Sequence, residues 1–228
     1  MNRRACIFAL TLIVALWLAG CGGSGPAATN APASDGVPRT LHMIESSAED
    51  IIDLAPNGSW EQVAVKVTTM NEAWQVYQPQ AATAGASQAH QDALASALAR
   101  VQAASTAKDA PVIRQAANDM GAAVLDLFAL YNPRTPADIG RLDVFERQVV
   151  LDVAANDLTA AAASYAKTKA VWERVKPSVL THNGQQVADK FEASLAKQAA
   201  ALQAKDLLVL TAEANNGLEI VDELEKLY

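Results

Sequence analysis

Residues 109–131 read DAPVIRQAANDMGAAVLDLFALY, and residues 206–228 read DLLVLTAEANNGLEIVDELEKLY. Both stretches begin with Asp and end with Tyr, and their apolar residues recur at spacings of three, four and seven. Such spacings place side chains on one face of an α-helix. The stretches lie 97 residues apart, so the pattern indicates one amphipathic helix written twice. The shared positions are Ile113, Ala117, Val124, Leu127 and Tyr131 in the first stretch and Leu210, Ala214, Val221, Leu224 and Tyr228 in the second.

The repetition extends upstream of these two helices. The segment WQVYQP at 74–79 matches WERVKP at 172–177, with an offset of 98 residues. Leu94 and Leu98 fall on Phe191 and Leu195, in the same helical phase. We therefore predict a tandem duplication of a unit of ~98 residues. Its two copies are helical repeat 1, residues 39–133, and helical repeat 2, residues 134–228.

Each unit is predicted to hold four helices. Ala is the best helix former and is depleted in strands, and 48 of the 228 residues are Ala while only 5% are aromatic. Short connections between amphipathic helices favour antiparallel neighbours, so the predicted fold class is all-α, an up-and-down helical bundle. Two four-helix bundles and one merged array are both compatible with the sequence. The helices are expected near 40–55, 59–79, 87–106 and 109–131, and near 136–155, 157–180, 184–204 and 206–227.

The N-terminus has the features of a secretory signal peptide over residues 1–20. Two arginines precede a short apolar run, which ends in Leu18-Ala19-Gly20-Cys21. That tetrapeptide resembles the bacterial lipobox. The resemblance implies that Cys21 becomes the first mature residue and carries diacylglycerol and acyl lipid such as palmitate. The protein would then be lipid-anchored on the extracytoplasmic face of a bacterial membrane, either the cell membrane or the outer membrane. An ordinary secretory signal with a chance cysteine is the alternative.

Residues 21–38 are rich in Gly, Ala, Pro and Ser and are predicted to be a flexible tether. Cys6 would leave with the signal, so the mature chain would have one cysteine, already acylated, and no disulfide or thiol nucleophile. Loss of Arg3 and Arg4 leaves 16 basic residues against 25 acidic ones, a net charge of −9. No basic run is present to follow phosphates, so we expect no nucleic-acid partner. The membrane partner would be held through the lipid alone.

Four residues are candidate metal ligands: His42, Glu45, Asp143 and Glu146. His42 and Glu45 are three residues apart and so share one helical face, and Asp143 and Glu146 have the same spacing in the second unit. The four side chains could converge between the units. Alternatively, they are solvated residues in the first turns of two helices, where acids are favoured.

The His-x-x-Glu pattern resembles the motif of imelysin-like iron-uptake proteins, which are also helical, duplicated and often membrane-anchored. The resemblance implies a metal cofactor. In that family a Gly usually stands two residues before the His, whereas this chain has Thr40 there.

The final hairpin of each unit resembles small periplasmic b-type cytochromes with a four-helix bundle. The shared features are Ala-rich helices, a Lys-Asp turn and a terminal Tyr. That family binds haem through an early Met and a His in the last helix. Neither 121–131 nor 217–228 contains a His, so haem is not carried over.

Trp74 and Trp172 are the remaining candidates. Both lie on the apolar stripe, so they could form the floor of a ligand pocket or simply pack in the helical core. No nucleophile-elbow, zincin, Walker A or dinucleotide motif is present, and we expect no enzymatic activity. The sequence therefore predicts a non-enzymatic binding or scaffold module of the cell envelope with a protein or envelope partner. The alternative is a periplasmic metal-binding accessory of the iron-uptake kind.

Overall fold

The computed structural model describes residues 35–228 and contains eight α-helices in that part of the chain. The predicted signal peptide 1–20, the lipidation site Cys21 and tether residues 22–34 lie outside the described residues. The all-α prediction is confirmed. The helices are α1 (Arg39–Leu54), α2 (Trp60–Ala81), α3 (Gln88–Ala107), α4 (Ala110–Phe128), α5 (Ala137–Ala154), α6 (Leu158–Thr181), α7 (Gln185–Ala204) and α8 (Leu207–Glu225).

The eight helices form two four-helix bundles. In the first bundle, α1 to α4 each pack against the next helix and α4 closes the ring against α1. The second bundle repeats this arrangement with α5 to α8, and α8 closes against α5. Packing of α4 against α5 joins the bundles. The choice between two bundles and one merged array is thus decided in favour of two. No helix in the described part is both long and apolar enough to cross a membrane.

Aspartates start three of the helices. The carboxylates of Asp109, Asp157 and Asp206 each accept a hydrogen bond of 2.9–3.1 Å from the N–H three residues later. These bonds satisfy N–H groups that the first turn of a helix otherwise leaves free. Before α4 and α8, the helices α3 and α7 end at Ala107 and Ala204, and the next residues, Lys108 and Lys205, adopt the same left-handed conformation at φ 53° and 54°. The α3–α4 and α7–α8 connections therefore have the same local structure.

The predicted apolar stripes form the cores of the bundles. The repeated pairs Ile113 and Leu210, and Val124 and Val221, are essentially inaccessible to solvent. Each bundle holds one of the tryptophans expected on the stripe. Burying an apolar side chain of this size contributes roughly 1.5–3 kcal/mol, so these stripes supply the main stabilisation of each bundle.

The bundles approach closely where α4 crosses α5. A Cβ at Gly140 would come within 2.7 Å of the Leu125 side chain, so only Gly permits this separation without a shift of that leucine. Polar contacts lie beside it. The Asn118 Nδ2 donates to the backbone oxygen of Val144 at 3.1 Å and to the Gln148 Oε1 at 2.9 Å. Close packing and buried hydrogen bonds together fix α4 against α5.

Candidate functional site

A cleft lies where α1, α4, α5 and α8 meet, at the junction of the two bundles. Glu45 and Glu49 of α1 line it together with Asp143 of α5 and Glu225 of α8, and Asn118 of α4 contributes an amide. We call this feature the acidic cleft. Glu45 and Glu49 are one helical turn apart, so both carboxylates come from one face of α1.

The acidic cleft has a narrow inner part and a wider outer part. The inner part has a volume of about 20 Å³, which is room for a single water molecule or a small ion. The outer part, of about 190 Å³, is shared with Asp35, His42 and the apolar Phe128. The outer part is therefore a half-apolar vestibule that carries carboxylates of its own, among them Glu45 and Glu225.

One basic side chain stands against these acids in the inner part. Arg147 forms a two-pronged ion pair with Asp143, with N–O distances of 2.5 Å for Nη1–Oδ2 and 3.2 Å for Nη2–Oδ1. This geometry gives the strongest kind of side-chain ion pair. Because the ion pair with Arg147 neutralises Asp143, the carboxylates of Glu45, Glu49 and Glu225 are the excess negative charge of the inner part.

The crowding of carboxylates changes their protonation. Burial, followed by the charges of Asp143 and Glu45, raises the pKa of both Glu49 and Glu225. Burial also raises the pKa of Asp143, although Arg147 acts in the opposite direction. Glu49 and Glu225 are both exposed residues, so solvent weakens the effect for these two. The direction is the same for all three groups, as expected where like charges share a site.

The amide of Asn118 has one unused atom. The residue is only 2% exposed, and both hydrogen bonds of its Nδ2 go to acceptors on α5, so the orientation of the amide is fixed. The Oδ1 has no hydrogen-bond partner among the described residues. A buried amide oxygen left unpaired costs about 1–3 kcal/mol. Asn118 thus places an unsatisfied oxygen at the acidic cleft.

His42 lies at the outer end of the acidic cleft, between two acids. Its Nε2 is 3.0 Å from an oxygen of Asp35, and its Nδ1 is 3.7 Å from an oxygen of Glu45. The nearby carboxylate of Glu45, followed by that of Asp35, raises the pKa of His42 although burial opposes the shift. The ring also packs edge-on against Phe128, with centroids 4.8 Å apart. The structure thus places His42 and Glu45 side by side, as the three-residue spacing indicates.

Glu146, the fourth predicted ligand, lies apart from the other three. Its side chain enters the second bundle, where it is fully buried and accepts a 2.8 Å hydrogen bond from the Gln198 Nε2 of α7. Asp143 is at the acidic cleft, near enough to Glu45 for the two charges to interact. The set is therefore divided between a cleft and a core. Among residues 35–228, no group of three or more His, Cys, Asp and Glu is arranged to hold a metal ion, and the predicted metal site stays a prediction.

Trp74 and Trp172 lie in the cores of different bundles. Trp74 is 6% exposed and lies near Tyr77, while Trp172 is 1% exposed and packs on Phe191 at a centroid distance of 4.9 Å. The Nε1 of Trp172 donates to Glu192 at 3.3 Å. This placement favours the packing interpretation over the ligand-pocket one, since the acidic cleft is lined by other residues.

Three residues of the acidic cleft were missed by the sequence prediction: Glu49, Glu225 and Asn118. Glu49 had a usable signal, because it follows Glu45 by four residues and must share its helical face. Asn118 had a weaker signal as a polar residue inside an apolar helix. Glu225 had none, because only the tertiary packing of α8 beside α5 carries it to the cleft.

No protein-family model matches this chain, and no curated protein and no solved structure gives a match either.

Proposed function

We propose that this protein is a lipid-anchored extracytoplasmic helical lipoprotein that acts as a non-enzymatic binding or scaffold module of the cell envelope. Its acidic cleft would receive a positively charged group. The single observation that carries this proposal is that Glu45, Glu49 and Glu225 line one cleft at the junction of the bundles together with Asn118, whose buried Oδ1 has no partner among the described residues.

The anchor is inferred from Leu18-Ala19-Gly20-Cys21, which follows a charged and then apolar leader. Two or more acyl chains on one residue suffice for stable attachment. The net charge of −9 expected for the mature chain gives the domain no electrostatic attraction to an anionic surface, so the lipid would do the holding.

The charge of the acidic cleft supports a cationic ligand. Glu45, Glu49 and Glu225 repel one another, and the charges of Asp143 and Glu45 add to the burial that raises the pKa of Glu49 and Glu225. A bound cation relieves that repulsion and supplies the partner that the Asn118 oxygen lacks. The half-apolar vestibule around Phe128 fits a ligand that has an apolar stem behind its charge.

A metal-binding accessory protein is the second candidate function. The observation that favours it is the 20 Å³ volume of the inner part, which suits one small ion better than a bulky organic cation. The available donors are carboxylate and amide oxygens, the ligands that Mg²⁺, Ca²⁺ and Mn²⁺ prefer. Under this alternative, Asn118 and the α1 acids would bind the ion, and His42 would line its approach.

Two binding experiments on the folded chain test these candidates. Equilibrium dialysis measures binding of Mn²⁺, a metal ion, and titration calorimetry measures binding of butylammonium, an organic cation. The cleft variant is Glu45→Gln with Glu49→Gln. The matched control is Glu61→Gln with Glu72→Gln, which changes the net charge equally at exposed positions of α2. With roughly 1 kcal/mol for each partly exposed carboxylate, the cleft variant should bind about 10- to 30-fold more weakly.

The outcomes separate the candidates. If butylammonium binds, Mn²⁺ does not, and the cleft variant binds butylammonium more weakly, the results support the binding module with a cationic partner. One equivalent of Mn²⁺, lost in the cleft variant and in Asn118→Ala, supports the metal-binding accessory. If neither probe binds, or if the control variant loses as much affinity as the cleft variant, the acidic cleft is not a cation site.

A further inference from the structure

The two bundles can be compared position by position, because corresponding helices begin at offsets of 97 or 98 residues. Asp109 and Asp206 start α4 and α8, and Lys108 and Lys205 end α3 and α7, always 97 residues apart. For α1 and α5 the offset is 98, since both helices follow a proline, Pro38 or Pro136. These offsets assign each core position of the first bundle to a counterpart in the second.

One layer of the core is apolar in the first bundle and polar in the second. All six residues of this layer are buried, so the difference is not a matter of solvent exposure. They are Ala48, Val101 and Met120 in the first bundle and, in the same order, Glu146, Gln198 and Gly217 in the second. A carboxyl and an amide have thus replaced apolar side chains in a closed helical core.

The hydrogen bonds of this polar layer are incomplete if Glu146 is a carboxylate. The Gln198 Nε2 donates to the Glu146 Oε2 at 2.8 Å. The Glu146 Oε1 and the Gln198 Oε1 have no partner among the described residues, and both are buried. Two acceptors cannot satisfy each other. A carboxylic acid, however, has an O–H that donates, and an acid and a primary amide can form two hydrogen bonds face to face.

Gly217 makes room for this carboxyl group. A Cβ at Gly217 would lie 2.7 Å from the Cδ of Glu146 and 2.9 and 3.1 Å from its oxygens. Gly in the middle of a helix costs about 1 kcal/mol relative to Ala, and α8 accepts that cost at the position facing Glu146. The carboxyl is therefore accommodated by a specific cavity in the helix packing.

The charged and titratable groups around Glu146 also favour its neutral form. Asp143, one turn earlier on α5, raises the pKa of Glu146 by its charge. Tyr165 of α6 has its own pKa raised by burial and then by Glu146. The hydrogen bond from Gln198 of α7 lowers the pKa of Glu146 and so opposes burial, and on α8 the carboxylate of Glu213 is paired with Lys197 at 3.0 Å. The positive charge named here, that of Lys197, is therefore paired with Glu213.

We propose that Glu146 is a resident proton site: it is a neutral acid in the folded protein, doubly hydrogen-bonded to Gln198, and its ionisation loosens the second bundle. On ionisation the O–H proton leaves for the solvent, and a bare carboxylate stays among α5, α7 and α8. Because Glu146 is on the same helix as Asp143, the loosening reaches the wall of the acidic cleft. Burial raises the pKa of Glu146 to about 8, in agreement with this geometry.

The direct test is a ¹³C NMR titration of the glutamate Cδ signals in the folded chain from pH 4 to 9. The wild type should show one signal that titrates above all others, with a midpoint about three units above that of exposed glutamates. This signal should be absent in Glu146→Gln. Glu61→Gln, at an exposed position of α2, is the control, and it should leave the late-titrating signal in place.

Glu146→Gln has a second use, because an amide at 146 can form the same two hydrogen bonds with Gln198 at every pH. Wild type should lose resistance to urea as the pH rises from about 5 to about 8, the interval between the unfolded-state and folded-state pKa values of Glu146, and the variant should lose less. The proposal is overturned if the signal removed by Glu146→Gln titrates with the exposed glutamates. The titration is measured on the wild type, so the test does not depend on how well the variant folds. A wild-type spectrum without a late-titrating glutamate also overturns the proposal.

Discussion

Gly217→Ala gives a sharp test of the packing around Glu146. The added Cβ would lie 2.7 Å from the Cδ of Glu146, closer than real Cβ contacts allow, and the carboxyl is held by Gln198. Overpacking of this kind costs about 1–3 kcal/mol. The change also gains about 1 kcal/mol from helix propensity. The expected net effect is a loss of roughly 0–2 kcal/mol in the free energy of unfolding.

The effect of Gly217→Ala on the free energy of unfolding should change sign when the carboxyl of Glu146 is removed. In a Glu146→Ala background the obstructing atoms are absent, so Gly217→Ala should stabilise the protein by roughly the propensity term of 1 kcal/mol. The coupling between the two sites is then about 1–3 kcal/mol, a size typical of residues in contact. Urea unfolding followed by circular dichroism at pH 6, on the wild type, both single variants and the double variant, measures it.

Gly121→Ala is the matched control for this cycle. It is also a helix-interior glycine at the edge of a core, but its Cβ would meet the Val144 side chain at an acceptable 3.4 Å. It should be neutral or stabilising, and it should not couple to position 146. The reasoning is refuted if Gly217→Ala destabilises the protein equally in both backgrounds.

Three further predictions concern the acidic cleft, the anchor and the core. A carboxyl whose pKa is raised by folding contributes stability at low pH that is lost as the pH rises through the folded-state value, so Glu49→Gln should leave stability unchanged at pH 4. At pH 8 it should raise the free energy of unfolding, by less than about 1 kcal/mol because the side chain is partly exposed; a loss at pH 8 contradicts the assignment. Labelled palmitate should enter the full chain and not a Cys21→Ala variant in a bacterial host, and equal labelling of the two would rule out the anchor. Trp172→Ala should lower the free energy of unfolding by about 3–5 kcal/mol in urea, since the ring is 1% exposed and packs on Phe191, and a cost below about 1 kcal/mol would contradict a core role.

The helices were predictable because their signals are local. Spacings of three, four and seven set the apolar stripes, and Asp109 and Asp206 marked two helix starts that the structure confirms. The burial of Trp74 and Trp172 was also predictable, because both residues share the helical face of the apolar stripe. Each of these inferences needs only the geometry of one helix.

The cleft was less predictable because α5 packs against helices of both bundles. Asp143 and Glu146 share one side of α5 by their spacing, yet Asp143 borders the cleft and Glu146 enters the second core. A three-residue spacing cannot separate these two environments, since it fixes the face of a helix and not what covers that face. The place of Asn118 at the cleft likewise depends on tertiary packing, since its hydrogen bonds go to another helix, 26 and 30 residues along the chain.

The most direct test of the central claim, that the acidic cleft binds positive charge, is a map of where a cation binds. Mn²⁺ is paramagnetic and broadens the NMR signals of nearby amides. In titrations of the folded chain, with Zn²⁺-free buffer and Mg²⁺ as the diamagnetic reference, we predict broadening that begins at Gly121 and Gly140, which line the cleft. The broadening should disappear in the variant with Glu45→Gln and Glu49→Gln. Uniform broadening over the acidic surface, or broadening centred elsewhere and unchanged in that variant, would contradict the account.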